Sequence, residues 1–197
     1  MIALQILHRA HLAALSALLT AACVVPYLRD IARGTTRPQR VSWFIYAVLS
    51  IVAAVSQFLA GEHAGAYLAS GSAIGFTAVF IASIRRGEGG ASRLDQFSLA
   101  LASLGVVLSI VVEQPMIAVI AVVMAEQSAT FLTAAKASRD PASETAITWV
   151  MDGLAGITAI AAVASFTPSE LLYPIHHTCV NLFVLGAITR GRRALAV

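Results

Sequence analysis

Apolar residues run through this chain in seven blocks of helix length, cut by short polar stretches. The blocks fall at roughly 9–28, 41–60, 64–84, 96–112, 115–135, 145–165 and 169–189. About 20 such residues cross the ~30 Å hydrocarbon layer as a helix. In lipid each segment must satisfy its own backbone, which a helix does. A membrane β-barrel would instead alternate apolar and polar positions over ~10-residue strands. The pattern therefore predicts an all-α transmembrane protein of seven helices. The stretches between blocks are too short to hold a soluble domain.

Charge then orients the bundle. Arg29, Arg33, Arg37 and Arg40 fall between blocks 1 and 2, and Arg85, Arg86 and Arg93 between blocks 3 and 4. Lys136 and Arg139 fall between blocks 5 and 6, and Arg190, Arg192 and Arg193 follow block 7. Those are 12 of the 13 basic residues, all on one side of a seven-span arrangement; only Arg9 lies on the other, with Glu62, Glu113 and Glu170. The positive-inside rule puts the N-terminus outside and the C-terminus in the cytoplasm, as expected for a multi-pass protein of a bacterial inner membrane. The composition agrees, with 58% hydrophobic and 12% charged residues against about 25% charged in soluble domains. The net charge of +3 comes from these flanks and implies no nucleic-acid partner. Cys23 and Cys179 sit in apolar blocks, without disulfide or metal spacing. The first block lacks the short core and cleavage site of a signal peptide and is expected to stay.

The stretch from Pro26 to Gly61 has an echo from Thr130 to Val163: Trp43 answers Trp149, and the arginine stretch answers Lys136 and Arg139. IASIRRG at 81–87 likewise answers GAITRGRR at 186–193. Aligning Ile84 with Ile188 sets Thr77 opposite Asn181. Two three-helix units in the same orientation need an odd linker span, a plan known among transporters. The expected division is a first repeat at 1–87, a linker helix at 88–113 and a second repeat at 114–197.

Pro26, the basic stretch, Pro38-Gln39, Ser42-Trp43 and the closing Gly61 resemble the PQ-loop/SWEET superfamily. The resemblance implies a 3+1+3 parallel repeat and transport of a small solute. In the sugar carriers of that group an asparagine pair on helices 3 and 7 lines the pocket; here Asn181 matches and Thr77 stands opposite it. The resemblance also implies that aromatics at the depth of Trp43 and Trp149 can face the pocket.

Buried ionisable groups are the chemical anomaly, because a carboxylate at the bilayer centre is costly unless it is paired or faces a cavity. Glu126 falls near the middle of block 5, with Thr130 and Thr133 continuing its face. Asp152 falls about two turns into block 6. In block 7, Tyr173, His177 and Asn181 recur every fourth residue and form a polar stripe, with His176 about 100° away. Histidine can bind polar ligands and take up protons near neutrality. Gly71 and Gly75 form a close-packing pair. Pro26 is a candidate hinge, Gln57 is expected in packing or at the rim, and Glu62-His63 as an exposed turn.

The reading is a carrier that moves a small polar solute (a sugar, an amino acid or a vitamin-like molecule) by alternating access, with proton coupling open. Asn181, His177, Glu126, Asp152, Trp149, Trp43, Thr77 and Tyr173 are the expected binding residues. The expected partners are the solute, the bilayer and protons, with a homo-oligomer left open; no cofactor and no catalysis is expected. A seven-helix binding or sorting receptor and a metal-dependent intramembrane hydrolase are the alternatives. A retinal protein would need a lysine in block 7, and the one lysine is Lys136.

Overall fold

The computed structural model describes residues 2–112 and 114–196, so Glu113 lies outside the described residues. The fold is seven α-helices: α1 (Ile2–Arg33), α2 (Arg40–Ala60), α3 (His63–Arg86), α4 (Arg93–Val111), α5 (Pro115–Arg139), α6 (Ala146–Ala162) and α7 (Pro168–Ala194), with a 3-10 turn at Pro141–Ser143. Five of them (α1 to α4 and α7) are long and apolar enough to cross a membrane, and α6 is a shorter apolar helix. Large apolar side chains cover the outside of the bundle, among them Leu18, Val25, Ile74, Ile110, Met124 and Ile157. This is a membrane protein, with its charged residues turned inward or gathered at the helix ends among the described residues.

The helices begin and end where local chemistry dictates. Gln39 caps α2 by accepting from the Ser42 amide at 3.0 Å, and its own amide donates to Asp95 Oδ1 at 2.6 Å. Ser92 and Asp95 form a reciprocal capping box at the start of α4. Gly61 ends α2 at φ 77°, a left-handed conformation that glycine adopts without penalty.

Several helices run further than their apolar blocks. Arg29 and Arg33 lie in the last turns of α1, Lys136 and Arg139 in the last turn of α5, and Arg190, Arg192 and Arg193 within α7. Basic residues at helix C-termini complement the helix dipole, so the backbone has no reason to stop where the apolar run stops. α1 continues about two turns beyond Pro26. Glu62 is a correction to the exposed turn expected there: it is only 9% exposed, while His63 beside it is exposed.

Helix neighbours follow a regular rule. α3 packs between α1 and α2, and α7 packs between α5 and α6; α1 meets α6 and α2 meets α5 across the bundle, with α4 laid against α5 and α2. Exchanging α1 with α5, α2 with α6 and α3 with α7 maps the main contacts onto themselves. Burial follows the same exchange. Adding 106 to Ala13, Ser16, Thr20, Cys23, Val24, Tyr27 and Ile31 gives Val119, Val122, Glu126, Ala129, Thr130, Thr133 and Ala137, all buried. The same shift takes Ser42, Trp43, Tyr46 and Ala53 to Thr148, Trp149, Asp152 and Ala159, again all buried. In α3 and α7 a shift of 105 takes Leu68, Ser72, Phe76, Val79 and Ser83 to Tyr173, His177, Asn181, Val184 and Ile188, likewise buried. That register is one residue away from the alignment of Ile84 with Ile188. It sets Phe76, rather than Thr77, at the position of Asn181.

Gly71 marks the closest approach of α1 and α3: a Cβ there would stand 2.3 Å from the Ala17 carbonyl oxygen, against 3.1 Å from a Val24 methyl at Gly75. A backbone atom cannot step aside as a side chain can. Gly71→Ala should therefore destabilise the bundle by about 1–3 kcal/mol and Gly75→Ala by less, read as loss of melting temperature in detergent. Equal melting temperatures for the two variants would contradict the close approach.

Candidate functional site

The two mid-span carboxylates are held by α7, the helix between them. Successive residues on a helix diverge by about 100°, so His176 turns toward α5 and His177 toward α6. His176 Nε2 lies 3.2 Å from Glu126 Oε2, and His177 Nε2 lies 3.1 Å from Asp152 Oδ2. Neither contact has in-line hydrogen-bond geometry; both are close electrostatic pairs that leave the ring nitrogens free to engage another partner. Asn181, one turn beyond His177, donates from Nδ2 to Asp152 Oδ2 at 3.0 Å and to the His177 carbonyl at 2.9 Å. A carboxylate only accepts, so the amide nitrogen must face it, and Asn181 Oδ1 is left buried without a partner. From α1, the Thr20 hydroxyl donates to Asp152 Oδ1 and stands 3.3 Å from the Ser72 hydroxyl of α3. One carboxylate thus ties α1, α6 and α7 together.

Aromatic rings close over this set. Trp43 meets Trp149 at 5.9 Å, Phe76 at 5.4 Å and Tyr46 at 5.8 Å between ring centroids. Phe76 stacks parallel on the His177 ring at 6.4 Å. Trp43, Tyr46, Phe76 and Trp149 then line a central cavity with Glu126, Asp152, His177 and Asn181. It is nearly shut, with about 20 Å³ of free volume, room for little more than one water. Its lining contains neither lysine nor arginine. Trp43 Nε1, like Asn181 Oδ1, is buried without a hydrogen-bond partner.

Below the rings, toward the arginine-rich ends of the helices, lies a buried ion pair that periodicity did not reveal. Lys136 Nζ stands 2.7 Å from Glu144 Oε1, with the two side chains 3% and 0% exposed. The ammonium also donates to the carbonyls of Ser143, at 3.1 Å, and Arg37, so its three donors are all used. Glu144 Oε2 accepts from the Tyr27 hydroxyl at 3.0 Å and from Trp149 Nε1 at 3.2 Å. Burial pushes the Glu144 carboxyl up, while Lys136, Tyr27 and Trp149 pull it back by stabilising its charged form. Around the pair, Thr145 donates to Asp30 at 2.9 Å, and Arg37 meets Asp140 at 2.5 Å. This layer fastens α1, α5 and the turn before α6 directly under Trp149. The available signal was a single lysine followed eight residues later by a glutamate, at the edge of a long apolar block.

Six of the eight expected binding residues line the cavity: Asn181, His177, Glu126, Asp152, Trp149 and Trp43. Tyr173 is fully buried beside the cavity, its ring 6.1 Å from that of His177. Thr77 is half-buried and outside the lining, one residue round the helix from Phe76. Sequence periodicity missed Thr20, Ser72, Phe76, His176 as a partner of Glu126, and the Lys136–Glu144 pair. Compared with known proteins, the chain matches no family model, and no curated protein and no solved structure matches it.

Removing one member of a buried ion pair strands the other, at a typical cost of about 3–5 kcal/mol. Lys136→Met and Glu144→Gln should each lower the melting temperature sharply, and the double variant should recover most of the loss. Additive losses in that double-mutant cycle would show that the two groups do not interact. Glu62 supplies a second check. Burial, reinforced by the charge of Glu170, raises its carboxyl above the usual range. A raised carboxyl favours the fold while protonated, and that contribution is lost as pH rises through its folded value. Glu62→Gln should therefore raise the melting temperature more at pH 8 than at pH 5; an equal change at both would overturn the assignment.

Proposed function

We propose that the protein is a seven-helix carrier of a small polar solute, built as two parallel three-helix repeats joined by α4, with the arginine-rich ends in the cytoplasm. The solute binds between α1–α3 and α5–α7, and the units rock so that the site faces each side of the membrane in turn. The observation that carries the reading is the central cavity: it lies between the two triplets and is lined by carboxylates and by buried polar atoms that lack partners. Buried polar groups are normally satisfied, so a lining that leaves Asn181 Oδ1 and Trp43 Nε1 free is one that a ligand would complete. The register that relates the helices supports the repeat. The chain's resemblance to the PQ-loop/SWEET superfamily points the same way.

On this reading the nearly closed cavity is an occluded state. The Lys136–Glu144 layer and the paired tryptophans seal the cytoplasmic side and must part for that side to open. Asp152 and Glu126, each beside a histidine, are placed to exchange protons as the solute comes and goes. The hydrolase alternative gains nothing from the two histidines, which diverge to separate carboxylates. Among the described residues no three metal-ligating side chains converge.

Uptake into proteoliposomes, screened with sugars, amino acids, vitamins and amines, tests the proposal. Asn181→Ala should cut uptake of the responding solute by about tenfold or more, the scale of one hydrogen bond to a charged group, while leaving a cooperatively melting protein. Binding without flux would make the protein a receptor. Normal uptake by the variant would remove Asn181 from the site.

A further inference from the structure

The central cavity is a buried space with an unbalanced charge. Glu126 and Asp152 bring two carboxylates into it, and the lining offers no lysine or arginine. The nearest permanent cation, Lys136, is consumed by Glu144 and two carbonyls. Desolvated charge of one sign is expensive unless something compensates it. Two sources of positive charge can do so: protons on His176 and His177, or a cation in the cavity. Most of the remaining lining is aromatic: Trp43 packs against both Trp149 and Phe76, and Tyr46 packs against Trp43. Aromatic faces attract organic cations, tryptophan most strongly. A neutral solute would leave the compensation to the two histidines alone, and an anion would be repelled.

We infer that the solute is a small organic ammonium ion, which sits between the Trp43–Trp149–Phe76 rings and the Glu126 and Asp152 carboxylates and takes the place of one proton in the two carboxylate–histidine pairs. This rests on the carrier reading of the same cavity and names its cargo. The triplets must separate for the cation to enter, since the closed cavity is too small for it. Asn181 Oδ1, the buried acceptor without a donor, is suited to an N–H or O–H group of the solute. Solute and protons then compete for one pair of charges, which makes the carrier an exchanger.

The pH dependence has a limited set of origins. Glu126 comes from α5, Asp152 from α6, and His176 and His177 from α7; α3 contributes only Ser72 and Phe76. Cys23 and Tyr27 of α1, Tyr46 of α2 and Tyr173 of α7 are also buried near the site, but a thiol and phenols ordinarily ionise above the range from pH 5.5 to 7.5. Glu144, which meets Trp149 and Tyr27 from below, is a further carboxyl beside the site, but it is paired with Lys136 and lies outside the lining, so the exchange is assigned to the two carboxylate–histidine pairs.

The test uses the full chain in lipid nanodiscs, with choline, its uncharged isostere 3,3-dimethyl-1-butanol, and glucose as probes. Choline keeps its charge at every pH, so any pH effect belongs to the protein. Choline should raise the melting temperature at pH 7.5 and the isostere should not. Its affinity should fall toward pH 5.5, by up to about tenfold per pH unit for each proton displaced. Asp152→Asn and Glu126→Gln should lose the choline response while still melting cooperatively. An isostere as effective as choline, a choline affinity unchanged between the two pH values, or a full response in both variants would overturn the inference. A response to glucose with none to choline would overturn it too, yet leave the carrier reading intact. The carrier reading itself falls only if no solute in the uptake screen is moved.

Discussion

A carboxylate in the middle of a membrane bundle has to be held from several sides, and Asp152 is held from two neighbouring helices besides its own. Thr20 reaches it from α1, and His177 and Asn181 from α7. α1 and α6 are also the helices that meet most extensively across the bundle, so the junction passes directly through this one charged group. Apolar packing contributes less specificity in a membrane than in water, because lipid tails solvate leucine as well as a neighbouring helix does. What selects one arrangement here is small-residue contact, as at Gly71, together with hydrogen bonds that would be lost in any other. Ser16 to the Ala155 carbonyl and Ser42 to the Ala129 carbonyl are two such bonds between the triplets.

How much of this was legible in the sequence depends on whether a residue announces itself by its neighbours. Glu126, Asp152, His177 and Asn181 stood out because they interrupt apolar blocks, and all four line the cavity. Trp43 and Trp149 stood out through their matched settings. Thr20 and Ser72 did not, since a hydroxyl can satisfy itself on the preceding turn and is unremarkable in a membrane helix. Thr77 stands outside the cavity lining because a slip of one residue turns a helix face by about 100°, and the matching ends of α3 and α7 fixed the alignment only to within that slip. Lys136 was hidden by its company: near three other clusters of flanking basic residues it reads as one more, although its helix continues and carries it inside. Helix ends were set by caps and dipoles, which hydropathy does not register.

The two halves of the site differ in a way that follows from the cost of charge. Where α5 to α7 carry Glu126, Asp152, His177 and Asn181, the register puts Thr20, Tyr46, Ser72 and Phe76 in α1 to α3. A site symmetric in its ionisable residues would crowd four carboxylates and their histidines into one small cavity, doubling the desolvation cost. Placing the ionisable groups in one triplet and hydroxyls and rings in the other avoids that cost. Trp43 and Trp149, alike in both halves, stand where the halves touch. Identity between the halves is kept at Trp43 and Trp149, Ala53 and Ala159, and Val79 and Val184, none of which carries charge.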